Sequence, residues 1–135
     1  MPCLFCSFAR ETGVALTVYA DKETIAFLDI HPRSPGHTMV IPRKHRENIL
    51  ELSDIEIAAV FRTVRLVTDI LRRALNPQGF TIGINHGTIS GQVIEHLHVH
   101  IIPRFSGDQG TSLHSVVHNP PQESVEEIHK RIINI

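Results

Sequence analysis

Near the C-terminal third of the chain, His96, Leu97, His98, Val99, His100, Ile101 and Ile102 alternate imidazole with aliphatic side chains before Pro103 and Arg104. A period of two is that of an extended strand, so the spacing predicts three imidazoles on one face and Leu97, Val99 and Ile101 on the other. One face is left for chemistry, the other for core. Side chains two apart on a strand lie about 6.6 Å apart, so three rings cover about 13 Å, and an ion with bonds of about 2.1 Å takes two neighbours but not three. The three histidines must therefore divide their work.

A chain of 135 residues can bury one core without disulfides, and a single domain over 1–135 is expected. Its formal net charge is −1, with acidic and basic residues interspersed, which gives neither the basic tract of a nucleic-acid-binding arm nor a polybasic membrane anchor. The start, MPCLFCSFARETG, lacks the charged and apolar regions of a secretory signal, and no stretch approaches the roughly 18 apolar residues of a spanning helix. A soluble, cytoplasmic protein is expected. There, Cys3 and Cys6 point to metal or redox chemistry rather than to a structural disulfide.

Residues 15–20 and 24–29 are short apolar runs around Asp21, Lys22 and Glu23, which predicts a hairpin. After the loop HPRSPGH, Thr38 to Ile41 form a third strand ended by Pro42. Ser53 with Glu56 is a capping box, and Ile57, Val60, Phe61, Val64, Val67, Ile70 and Leu71 recur at helical spacing to about Leu75. Asn76, Pro77 and Gly79 end that helix; Phe80, Ile82 and Ile84 mark a fourth strand, and the histidine row is the fifth. Between them Gly87 and Gly91 suggest a tight loop with backbone amides free for an anion. Residues 105–122 are polar and rich in Gly, Ser and Pro, and a short helix capped by Ser124 follows. Consecutive strands broken by one long helix imply an α+β domain with a five-stranded antiparallel sheet and a helix over one face.

Cys3 and Cys6 have the spacing of a knuckle in which two thiolates hold one tetrahedral ion. His45 and one end of the histidine row are the available partners. If His96 joins them, the ion is a Cys2His2 zinc and His98 and His100 stay free. A redox role is the weaker alternative, because redox CxxC pairs sit between a strand and a helix, and two buried cysteines without metal are the plain one. His98, central in the row, can attack phosphorus or acyl carbon if its other nitrogen is held by a hydrogen bond, and His100 can then bond a phosphate oxygen or assist the leaving group. A catalytic zinc using two neighbours of the row is the competing sharp reading.

The row HLHVHII resembles the histidine-triad pattern of the HIT superfamily of nucleotide hydrolases and transferases. The segment AFLDIHPRSPGHTMVIPRKH, and Asn85 followed by Gly91 and Gln92, extend the resemblance over roughly residues 3–104. It implies a HIT-like fold, with His98 forming a nucleotidyl-histidine intermediate at the α-phosphate of an adenosine-containing substrate and water releasing AMP. It further implies that His100 holds phosphate oxygens together with Asn85 and Gln92 of the loop that contains Gly91, that His37 supports the phosphate site or the nucleophile, and that Asp29 accepts from the ribose hydroxyls. Phe5, Ile25, Phe27 and Leu28 would form the base slot, with ordinary core packing as the alternative for each. Cys3, Cys6, His45 and His96 match the ligands of a zinc-binding branch, and members of this size commonly form homodimers.

Val93 is a departure, because some relatives that cleave phosphoramidates carry Ser or Thr directly after the Gln. Without that hydroxyl the expectation tilts toward leaving groups that depart as phosphates, such as those of dinucleoside polyphosphates. The alternatives on the same scaffold are a nucleotidyl transferase and a nucleotide-binding protein without turnover. DNA or RNA end-processing lacks its usual binding module here, and His114 and His118 match no motif.

Overall fold

Asp21 closes the first hairpin by accepting the backbone N–H groups of Glu23 and Thr24 on one carboxylate oxygen, at 2.8 and 2.9 Å. The structure, a computed structural model, describes residues 2–135. Its elements are α1 (Leu4–Ala9), β1 (Thr17–Ala20), β2 (Thr24–Leu28), β3 (Thr38–Pro42), α2 (Asp54–Leu75), β4 (Gly79–Gly83), β5 (Val99–Arg104) and α3 (Val125–Ile133). The strands form one sheet in the order β1-β2-β3-β5-β4, with every pairing antiparallel. This is the α+β architecture that the pattern implies.

The sheet is covered on both faces, which explains why β2 and β3 are buried almost throughout instead of at alternate positions. Ala26, Val40, Val99 and Ile101 pack against Val60, Val64, Val67 and Leu71 of α2. On the opposite face Ile25, Phe27, Met39 and Ile41 meet Phe5 and Ala9 of α1. The predicted capping box starts α2, with Ser53 and Glu56 each satisfying the other's backbone N–H, and Asn76 ends it in the left-handed conformation. Ser124 caps α3 through the N–H of Glu127, as expected. Among the described residues no helix is long and apolar enough to cross a membrane.

Two features differ from the sequence reading. The N-terminal segment forms α1, too short to show a period. The histidine row enters the sheet only at Val99, because Pro42 has no N–H to continue the β3 ladder and its carbonyl accepts from the His96 ring at 2.9 Å. Leu97 instead donates its N–H to the carbonyl of Arg46, at 2.6 Å. The alternation still holds: Leu97, Val99 and Ile101 are buried in core while His98 and His100 face the other side.

Gly36 sets the entry to β3. It has φ +84°, and a Cβ there would collide with Leu75 at the end of α2, so the loop passes close to the helix and delivers His37 beneath the histidine row.

Candidate active site and metal centre

The face opposite α2 opens into a cavity of about 450 Å³. Leu4, Phe5, Phe8, Phe27, Leu28 and Met39 make its apolar wall; Asp29, Asn85, Gly91, His98 and His100 bring polar groups to it. Among the described residues no Lys or Arg lines it. The loop before β5 turns at Gly91 with φ +105°, and a Cβ there would lie 3.7 Å from the Asn85 side chain, which makes no hydrogen bond to another described residue.

Backbone groups decide where each imidazole of the row carries its proton. His98 Nδ1 lies 2.7 Å from the His96 carbonyl, which can only accept, so Nδ1 holds the hydrogen and Nε2 keeps its lone pair. His96 is the reverse: its Nε2–H donates to the Pro42 carbonyl at 2.9 Å, leaving Nδ1 bare beside the thiols of Cys3 and Cys6. The third ring is set at one remove. The N–H of Arg33 donates to His37 Nδ1 at 3.1 Å, so His37 Nε2 must carry a hydrogen, which it donates to His100 Nδ1 at 2.9 Å. His100 therefore presents an Nε2–H donor. Burial holds His100 at about 4, with the neighbouring His98 and His37 acting in the same direction, so it stays neutral near pH 7. Burial also keeps His37 below the ordinary histidine value, against the pull of the Asp29 carboxylate 3.6 Å away.

Cys3, Cys6, His45 and His96 converge on one point. A tetrahedral ion with bonds of about 2.3 Å to sulfur and about 2.1 Å to nitrogen places those atoms about 3.6 Å apart. Here His96 Nδ1 lies 3.5 Å from both sulfurs, and His45 Nδ1 lies 3.2 Å from Cys6 Sγ. Geometry and bare nitrogen both fit a metal ion. Burial first, and then the hydrogen bond and charge of Cys3, push the Cys6 thiol up, a cost that a bound cation offsets.

Asp29, His37 and His100 form a second cluster of potential ligands. It does not fit. Two ligating nitrogens on a tetrahedral ion stand about 3.3 Å apart, whereas His37 and His100 approach to 2.9 Å with a hydrogen between them. Freeing His37 Nε2 would move its proton to Nδ1, against the N–H of Arg33.

The other residues expected from the sequence fall into two groups. Phe5, Phe27, Leu28, Asp29, Asn85 and Gly91 line the cavity, and one Asp29 oxygen is fixed by the N–H of His31 at 2.9 Å. Ile25 does not: it is core, 2% exposed. Gln92 is also away from the cavity lining, because its amide accepts from Gly87 N–H at 2.9 Å and donates to the Glu47 carbonyl at 2.8 Å. It braces the loop. His37 sits behind His100. The sequence reading missed Leu4 and Phe8, which α1 brings to the wall, and Met39 of β3.

The HIT domain family matches residues 13–107. The adenosine 5'-monophosphoramidase of Schizosaccharomyces pombe is 34% identical over 110 residues, covering 82% of this chain and 80% of that protein. The crystal structure of a HIT family member from Bacillus subtilis superposes with a TM-score of 0.86 at 31% identity, covering 99% of this chain and 96% of that one. A zinc-bound histidine triad family protein from Mycobacterium smegmatis superposes with a TM-score of 0.75 at 27% identity, covering 91% and 85%.

Proposed function

The chain belongs to the HIT domain family, and from that premise we propose that it is a nucleotide hydrolase acting at the α-phosphate of adenosine-containing phosphoanhydrides or phosphoramidates. The observation that carries this reading is the 2.7 Å bond from His98 Nδ1 to the His96 carbonyl, which leaves a bare Nε2 beside an apolar cavity of nucleoside size. His98 Nε2 attacks the α-phosphorus, and the bond to the leaving group breaks with its electron pair. The resulting nucleotidyl-imidazolium keeps its Nδ1–H on the His96 carbonyl. Water then attacks phosphorus, releasing AMP and a proton and restoring neutral His98.

His100 Nε2–H, as a neutral preset donor, and Asn85 meet the phosphate oxygens, where charge develops in the transition state. Asp29, with one oxygen already fixed, receives the ribose hydroxyls on the other. The base lies among Phe5, Phe27 and Leu28. Cys3, Cys6, His45 and His96 would hold zinc, a structural ion that neutralises the thiolates and ties the N-terminus to the start of the histidine row. The zinc-bound relative supports that choice of metal.

The cavity sharpens the substrate class. Against the tilt toward phosphate leaving groups drawn from Val93, no Lys or Arg among the described residues lines the cavity, so it offers little to a polyphosphate chain and suits compact leaving groups better than dinucleoside polyphosphates. Val93, 89% exposed at the rim, leaves proton delivery to such a group to solvent. The exposed Ile55 and Phe61 of α2 are apolar surface that a homodimer would cover. The test is AMP release from adenosine phosphoramidate, an aminoacyl adenylate and diadenosine tetraphosphate. Faster release from the first two supports the proposal, and no release from any of them contradicts it.

A further inference from the structure

We propose that α1 couples metal occupancy to the nucleotide cavity, with Phe5 as the positioning residue; this rests on the nucleotide reading of that cavity. A helix of six residues does not stand alone in water, where stretches shorter than about 12–15 residues are marginal. Its own turns add little: the first has no acidic residue and the last no basic one. It is held from outside at each end. Arg43 donates to the Ala9 carbonyl at the C-terminal end, at 2.5 Å, and Cys3 and Cys6 tie the N-terminal end to His45 and His96.

Phe5 stands between those two cysteines. Its ring meets His98 edge-on, with centroids 5.1 Å apart at 89°, and Phe27 at 5.2 Å and 68°. Leu4 and Phe8 extend the same wall. The ligand set reaches the site by a second route as well, because the carbonyl that orients His98 belongs to His96. When the cysteines are ligated, Phe5 is pressed against Phe27 and His98, and the base wall is formed before nucleotide arrives. When they are released, the Arg43 end stays pinned and the Phe5 end loosens.

The coupling is reciprocal by thermodynamic necessity. AMP affinity is measured by calorimetry on zinc-loaded and zinc-depleted protein, and zinc affinity by chelator competition with and without saturating AMP. Both pairs are repeated on Phe5→Leu, which keeps every zinc ligand. Amide exchange of α1 and α2 is followed in the depleted form. The expected result is a gain of about fivefold or more in each affinity, by the same factor. It should shrink toward one in Phe5→Leu, with protection lost in α1 and kept in α2. Equal AMP affinity with and without zinc overturns the coupling alone. Coupling undiminished in Phe5→Leu, as global unfolding of the depleted form would give, overturns the role of Phe5. Failure of AMP to bind either form overturns the nucleotide reading and the coupling with it.

Discussion

Two clusters of ligand-type side chains lie on either side of His98, and their backbone partners make them opposites. At Cys3, Cys6, His45 and His96, the Pro42 carbonyl takes the His96 Nε2 proton and turns a bare nitrogen toward two thiols. At Asp29, His37 and His100, the N–H of Arg33 fills His37 Nδ1 and puts a proton between the two rings. Residue type alone makes both look like metal sites. The hydrogen bond at the far nitrogen separates a cluster that could hold a metal from a preset donor.

The largest effect expected is on His98 between them. His98→Ala should lower AMP release from adenosine phosphoramidate by about 10⁴-fold, while metal content, measured by atomic emission, stays at the wild-type level. His100→Gln should cost about 10²–10³-fold in kcat, the range for one preset donor to a developing oxyanion, with no change in metal content. Cys6→Ala should abolish metal binding and lower the Tm, whereas His37→Gln should leave stoichiometry untouched. Loss of a metal equivalent in His37→Gln would erase the contrast between the clusters.

Smaller effects sharpen the donor side. Val93→Ser should raise phosphoramidate turnover by up to about tenfold, below the roughly 10²-fold at which positioned proton donors begin, because solvent already supplies the proton, with little change on diadenosine tetraphosphate. Burial of His100, held at about 4 against 6.5 for an ordinary histidine, contributes to the pH dependence of stability in the same direction as burial of His96. The unfolded chain binds more protons between these values, so stability is complete above about pH 6.5 and drains as the pH falls toward 4. His100→Gln should flatten that slope in urea titrations by up to one proton's worth.

Legibility followed the range of the forces involved. The capping box of α2, its apolar period and the hairpin at Asp21 rest on local chemistry, and the sequence displays them. Helix α1 does not show: six residues carry no usable period, and Phe5 and Ala9 owe their burial to β2 and β3. The entry of the row into the sheet only at Val99 is hidden for a similar reason, since it depends on Pro42 from another strand. For the site, alternation implied that the histidines divide their work and the resemblance proposed the roles. The engagement of Gln92 with Glu47, and the protons of His96 and His100, depend on groups distant in sequence, whereas His98 and His37 are set by near neighbours whose positions only the folded backbone shows.

The division of the row is tested most directly by trapping the covalent species. Protein mixed with adenosine phosphoramidate is quenched in alkali, where phosphorus–imidazole bonds survive, and the peptide spanning the row is mapped by mass spectrometry. An adenylyl group on His98, absent in His98→Ala, is predicted; an adduct on His96 or His100, or undiminished AMP release from His98→Ala, would contradict the account.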